Sequence, residues 1–261
     1  MILSLPLLVL AQAATAAPAS QNVARAWTLL EQGVADKNFE HRVHALDALA
    51  LLPSIPRVRT LVEKSLGDEK EQVRAAAATA LGEMKSRPSI PKLRAALDDK
   101  DPSVFLAAAR SLYLMGDPEA YDILYEVVIG EKKSGDGLVR SQVKILENPK
   151  AAAKLGAEVG LSFVPFGGLG YRVFRMSRED KTSPIRAEAA IKLATDPDPI
   201  ASQALKRIAT DPKEIVRSAA FEAIARRRDR SLLPVAVKGM DDEDELVQYH
   251  AAAAVIRLSS K

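Results

Sequence analysis

Residues Val216 to Ala225 read VRSAAFEAIA, and five other stretches align with them without adjustment. They are VHALDALALL from Val43, VRAAAATALG from Val73, VFLAAARSLY from Val104, IRAEAAIKLA from Ile185 and VQYHAAAAVI from Val247. Successive starts stand 30, 31, 81, 31 and 31 residues apart, and 81 is one period plus about 50 extra residues. Four positions on stand Asp47, Ala77, Ala108, Ala189, Ala220 and Ala251; eight on stand Leu51, Leu81, Leu112, Leu193, Ile224 and Val255. Apolar or small residues at 0, +4 and +8 share one face of a helix. A fixed period near 31 residues is the mark of a repeat architecture.

A second apolar helix precedes each of these segments, through Leu61, Val62 and Leu66, then Leu93 and Leu97, Leu205 and Ile208, and Leu233 and Val237. The joining turns GDEKEQ, DDKDPS, TDPKEI and DDEDEL are acidic, and two of them carry proline. Asp or Ser there caps the next helix, and proline suits a first turn. The spacing predicts first helices over 22–34, 54–66, 88–98, 117–130, 198–209 and 230–239. It predicts second helices over 39–52, 70–84, 102–115, 183–195, 213–227 and 244–258. Each pair has an apolar face that only its neighbours can cover, so the pairs must stack. With 43 alanines and no cysteine in 261 residues, the core is one of closely packed helices without disulfides.

The acidic turn followed by Val-Arg, in Asp68 with Val73-Arg74 and Asp211 with Val216-Arg217, resembles HEAT-like repeats of the 31-residue type named after phycobilisome lyases. Phe105 and Gln248 stand in place of the arginine elsewhere. The resemblance implies an all-α, right-handed α-solenoid of about six helix pairs with one insertion. It implies recognition along a curved surface. In such stacks the second helices line the concave side, which nominates Arg74, Arg110, Arg186, Arg217 and Gln248 as partner contacts. No chromophore-handling motif accompanies the repeat.

Residues 131–182 interrupt the fourth pair, so that repeats lie at 22–130 and 183–261. This insertion holds seven of the 13 glycines and ten Lys or Arg against six Asp or Glu. Its centre, LGAEVGLSFVPFGGLGYRVF from Leu155 to Phe174, is almost uncharged. Three readings stand open: a hairpin packed on the solenoid, a protein-docking surface, or a segment docking on a membrane surface. For the last two, Phe163, Phe166, Leu169, Tyr171 and Phe174 are the contact candidates. Helical pieces are expected at 136–147 and 149–163.

The N-terminus reads as an address. No charged side chain precedes Arg25, Met1 to Leu10 is nearly all apolar, and three A-x-A patterns follow. That is the layout of a signal peptide over 1–19, without a basic n-region, and implies export to a bacterial periplasm or beyond. No Cys and only three His (His41, His44 and His250) argue against metal, cofactor or cysteine chemistry. His41 and His44 lie on one helix without a third nearby ligand in sequence. No nucleophile-elbow signature is present, and a net charge of +3 gives no case for nucleic acid. The sequence therefore leads to an exported, non-enzymatic, protein-binding scaffold; the alternative is a peripheral membrane or envelope-assembly factor.

Overall fold

The computed structural model describes residues 17–129 and 182–260, and its regular structure is helical throughout them. The helices are α1 (Ala17–Gly33), α2 (Phe39–Leu49), α3 (Pro56–Ser65), α4 (Glu71–Glu83), α5 (Ile90–Ala96), α6 (Pro102–Leu114) and α7 (Pro118–Ile129). After residue 181 come α8 (Ser183–Lys192), α9 (Ile200–Ile208), α10 (Glu214–Arg227), α11 (Leu233–Gly239) and α12 (Glu245–Ser259). Short 3₁₀ turns at Arg87–Ser89 and Arg230–Leu232 lead into α5 and α11. Every second helix predicted from the spacing is present, and the first helices agree within a few residues. The first helix begins earlier than expected, at Ala17, within the last three residues assigned to the leader. The rest of the leader and nearly all of the insertion lie outside the described residues.

The chain is an all-α solenoid of helix pairs. α1/α2, α3/α4, α5/α6, α9/α10 and α11/α12 each pack together, and the second helices then pack side by side. Their order in space is α8, α10, α12, α2, α4, α6. The last unit thus sits on the first: α12 packs on both α1 and α2, and the C-terminal units stand in front of the N-terminal ones. α7 packs on α6 and α8 on α10; among the described residues α7 and α8 are not a closely packed pair. The row is strongly bent. Glu83 at the end of α4 lies in the fields of Arg226 and Glu222 of α10, although α12 and α2 separate those helices in the row.

Alanine explains the close stacking. α10 is buried without interruption from Ile215 to Ala225, and α12 from Tyr249 to Ile256. Helices buried on every side need apolar residues all round rather than a single stripe. Small side chains let neighbouring axes approach at the short end of the usual 8–10 Å range.

The acidic turns work by one device. Asp36, Asp68, Asp99, Asp211 and Asp242 each accept a hydrogen bond from the backbone N–H two residues on, at Asn38, Lys70, Asp101, Lys213 and Asp244. This holds the chain in the turn that starts the next helix. The five aspartates also set the true register. Asp36 precedes His41 by five residues, as Asp68 precedes Val73 and Asp211 precedes Val216. The first unit therefore starts at His41, two residues before the Val43 that the sequence alignment chose. The odd Asp47 at +4 is replaced by Ala45, and Leu51 at +8 by Leu49, both fully buried.

Three units end alike. Lys85, Gly116 and Arg228, each twelve residues after its segment start, take left-handed backbone at φ 50°, 74° and 58°. After α4 and α6, the next amide (Ser86, Asp117) bonds the carbonyl five residues back (Leu81, Leu112). Only glycine takes this conformation without a steric penalty. Lys85→Gly is expected to stabilise by up to about 1 kcal/mol, read as a higher denaturant midpoint with an unchanged slope.

Candidate interaction surface

Arginines run through the solenoid as a ladder. Arg74 Nε and Nη2 donate to Asp99 at 2.7 and 2.8 Å, and Nη1 donates to the carbonyls of Asp68 and Glu69. Arg217 repeats this on Asp242 at 2.9 and 2.7 Å, with the carbonyls of Asp211 and Pro212. Arg42 reaches Asp68 through Nη2 alone, at 2.8 Å, and donates from Nη1 to the carbonyls of Asp36 and Lys37. Arg186 pairs with Asp211. Arg42, Arg74 and Arg217 each tie the turn before their own helix to the turn of the next unit, whereas Arg186 joins Ser183 at the start of its own helix to Asp211. The planar fork suits this, since it serves a carboxylate and two carbonyls at once. Burial would raise the Asp68 and Asp99 carboxyls, but hydrogen bonds from Arg42 and Arg74 and from turn amides hold both below the usual carboxylate range.

The ladder revises the list of contact candidates. Arg74 and Arg217 are 8% and 7% exposed and spent on internal partners, so they are not the open positions that the sequence suggested. Gln248 donates to the Asp242 carbonyl at 2.6 Å, which is one part of the arginine's work. Phe105, at the same place in the third unit, is buried at 1%. Arg186 keeps more exposure, with its side chain at 42%. Arg110 is partly buried beside Glu83. Phe163, Phe166, Leu169, Tyr171 and Phe174 lie outside the described residues. Arg42 was missed because the first unit was aligned two residues late; the Asp-x5-Arg spacing shared by Asp36/Arg42, Asp68/Arg74 and Asp211/Arg217 would have found it.

The basic run Arg226-Arg227-Arg228 with Arg230 is largely structural. Arg227 donates to the carbonyls of Leu193, Asp196 and Asp198. Arg226 Nε bonds Glu222 at 2.9 Å, and Arg230 reaches the Ser260 carbonyl. Burial pushes the Glu222 and Glu83 carboxyls up, and Arg226 only partly offsets it. A carboxyl raised in the native state binds its proton more readily there than in the unfolded chain. Stability is then lost as pH climbs from the ordinary carboxylate range through the raised value. Glu83→Gln is therefore expected to raise Tm at pH 7 and to leave it unchanged near pH 4.

His250 and Ser218 do meet, with Oγ 3.2 Å from Nδ1, and the same nitrogen faces the Leu246 carbonyl at 2.9 Å. Both residues are buried, so the contact joins α10 to α12 inside the protein. Among the described residues, six large apolar side chains are exposed, and one of them, Ile55 before α3, stands apart from the rest in sequence. At the α6–α7 corner Tyr113, Leu114 and Tyr121 are 52%, 42% and 60% exposed. At α8 and the start of α9, Ile185 and Ile200 are 70% and 63% exposed. Among the described residues no helix is long and apolar enough to cross a membrane.

The family model described as HEAT repeats matches residues 26–98, 58–143 and 175–259, most of the chain. A search of curated proteins finds no match.

Proposed function

We propose that this chain, which belongs to the HEAT-repeat family, is an exported, non-enzymatic scaffold that binds another protein. HEAT repeats commonly serve protein–protein interaction, and the family supports that general role. The observation that carries the reading is the division of labour among side chains. The ladder engages its guanidiniums within the protein, while Tyr113, Leu114 and Tyr121, within nine residues of each other, expose 52%, 42% and 60% of their surface to solvent. Exposed aromatics on a rigid frame are the anchors that protein interfaces favour. Export is supported by the charge-free, apolar first 24 residues and their A-x-A patterns.

A photo-crosslinker placed at Tyr121 tests the contact in cells that export the full chain. The expected result is one defined adduct, lost in a Tyr113→Ala/Leu114→Ala variant whose circular dichroism is unchanged. An identical adduct from a crosslinker at Lys64, far from the corner in sequence, would sink the reading. N-terminal sequencing of the mature protein tests export: cleavage within Ala11–Ala19 is expected, and an intact Met1 opposes it. The membrane alternative predicts that full-length protein floats with anionic vesicles and that deletion of 150–176 abolishes flotation.

A further inference from the structure

The junction between α12 and α2 is built unlike its neighbours. Four other junctions carry an Arg–Asp rung: Arg42–Asp68, Arg74–Asp99, Arg186–Asp211 and Arg217–Asp242. Guanidinium keeps its charge at any pH a folded protein meets. Where α12 meets α2, the rung position holds Gln248, which has no charge and turns its amide to the Asp242 carbonyl. Imidazoles stand there instead. His41 Nε2 lies 3.5 Å from Glu245 Oε1, and His44 Nδ1 lies 3.4 Å from the same oxygen. The other nitrogen of His41, Nδ1, lies 3.4 Å from Asp36 Oδ2. His41 also occupies the position filled by Val73, Val104, Val216 or Val247 in other units.

Proton counting decides how this junction behaves. A neutral imidazole has one N–H and one lone pair. Both nitrogens of His41 face carboxylate oxygens, so in the neutral ring one lone pair must point at an anion. Only the imidazolium, with two N–H donors, satisfies Asp36 and Glu245 together. With both rings neutral, Glu245 loses the imidazolium charge beside it, and of the two cations that act on Asp36, His41 and Arg42, only Arg42 remains. With both rings protonated the four groups balance.

We propose that the α12–α2 seam is a proton-operated latch, tightened when His41 and His44 are charged and loosened when they are neutral.

Among the described residues the nearby guanidiniums are fixed by other partners. Arg42, next to His41, is bonded to Asp68 and to the Asp36 carbonyl, and its charge favours ionised Asp36 at any pH, so it does not switch. Arg25 of α1 pairs with Asp241 and the Met240 carbonyl at the seam's other edge. Asp244 caps α12 through the amides of Leu246 and Val247. Tyr249 packs on Gly33 and Ala45, where burial and the nearby Asp36 and Glu245 push its hydroxyl up to about 12. It stays neutral across the whole range. The latch therefore needs the imidazoles charged while Asp36 and Glu245 stay ionised.

Because the chain has no cysteine, two can be introduced cleanly. Spin labels at Lys37→Cys and Glu243→Cys, both exposed positions, report the seam in the full chain. The expected result is one narrow distance at pH 5.5 and, at pH 8, an open population about three- to tenfold larger. Glu245→Gln and, independently, His41→Asn/His44→Asn should remove most of that difference. Arg217→Lys should weaken the fold at both pH values while keeping the pH difference. Equal distances at pH 5.5 and 8, or the same pH difference in both seam variants, would overturn the latch.

Discussion

Arg74→Ala is expected to destabilise the protein by about 3 kcal/mol or more. For an ordered body of this size that corresponds to a Tm lower by about 6–12 °C. The reason is what the deletion strands. Asp99 loses both hydrogen bonds from the guanidinium while remaining largely buried, at 15% side-chain exposure. The carbonyls of Asp68 and Glu69 lose their shared donor. Breaking a buried pair costs more than the pair contributes, because an uncompensated charge remains behind. Arg74→Lys should recover only part of the loss, since a point charge cannot fork across the carboxylate and reach two carbonyls as well.

Acid provides an independent check. Burial alone would raise the Asp99 carboxyl, and the Arg74 hydrogen bond overrides it, so the native value lies below the unfolded one. That stability is present above the ordinary carboxylate value of about 3.9. It is lost as pH falls through the depressed native value. Wild type should therefore lose stability below about pH 4 more steeply than Arg74→Ala. A variant with wild-type Tm at pH 7, or with the same acid profile, would show that the rung is not what binds these units.

The ladder also shows what was legible beforehand. The 31-residue period and the apolar +4 and +8 positions placed every second helix, because a helix face buried against neighbours must repeat at helical spacing. Side-chain commitment was harder to read. Val-Arg looks the same in sequence whether its guanidinium meets solvent or turns back to the preceding carbonyls. The paired acidic turn one unit later, Asp99 for Arg74 or Asp242 for Arg217, held the answer. The first unit was misaligned because its true start carries His41 where the other units carry Val or Ile, so Val43 fits the apolar position better, and the Asp36–Arg42 spacing corrects it. The seam was beyond the sequence altogether. Nothing local in EHRVHALD says that Glu245, two hundred residues on, will stand beside His41 and His44. That depends on the sixth unit turning back to the first, which is a property of accumulated unit-to-unit rotation.

Gly82→Ala is expected to cost about 3 kcal/mol, although alanine is the better helix former. A Cβ built on Gly82 of α4 would overlap Ser111 Oγ and stand 2.6 Å from its Cβ and 2.8 Å from its Cα. Rotating the serine would relieve only the first contact. It would also surrender the buried hydrogen bond from Ser111 Oγ to the Ala78 carbonyl at 2.8 Å. The remaining overlap involves Ser111 Cβ and the α6 backbone itself, so α4 and α6 must move apart. Their separation opens gaps along the whole interface, and each gap forfeits dispersion contacts. Gly239 is held in the same way against the Phe221 ring and Ala251. Gly67 is the opposite case, with nothing closer to its built Cβ than 3.7 Å, so Gly67→Ala should fall within about 0.5 kcal/mol of wild type. Adding Ser111→Gly to Gly82→Ala removes the Oγ and Cβ overlaps and should restore part of the loss, so the two changes together cost less than their sum. Denaturant midpoints of the four proteins decide it. Strict additivity would mean that the close approach of α4 to α6 is not what requires glycine at position 82.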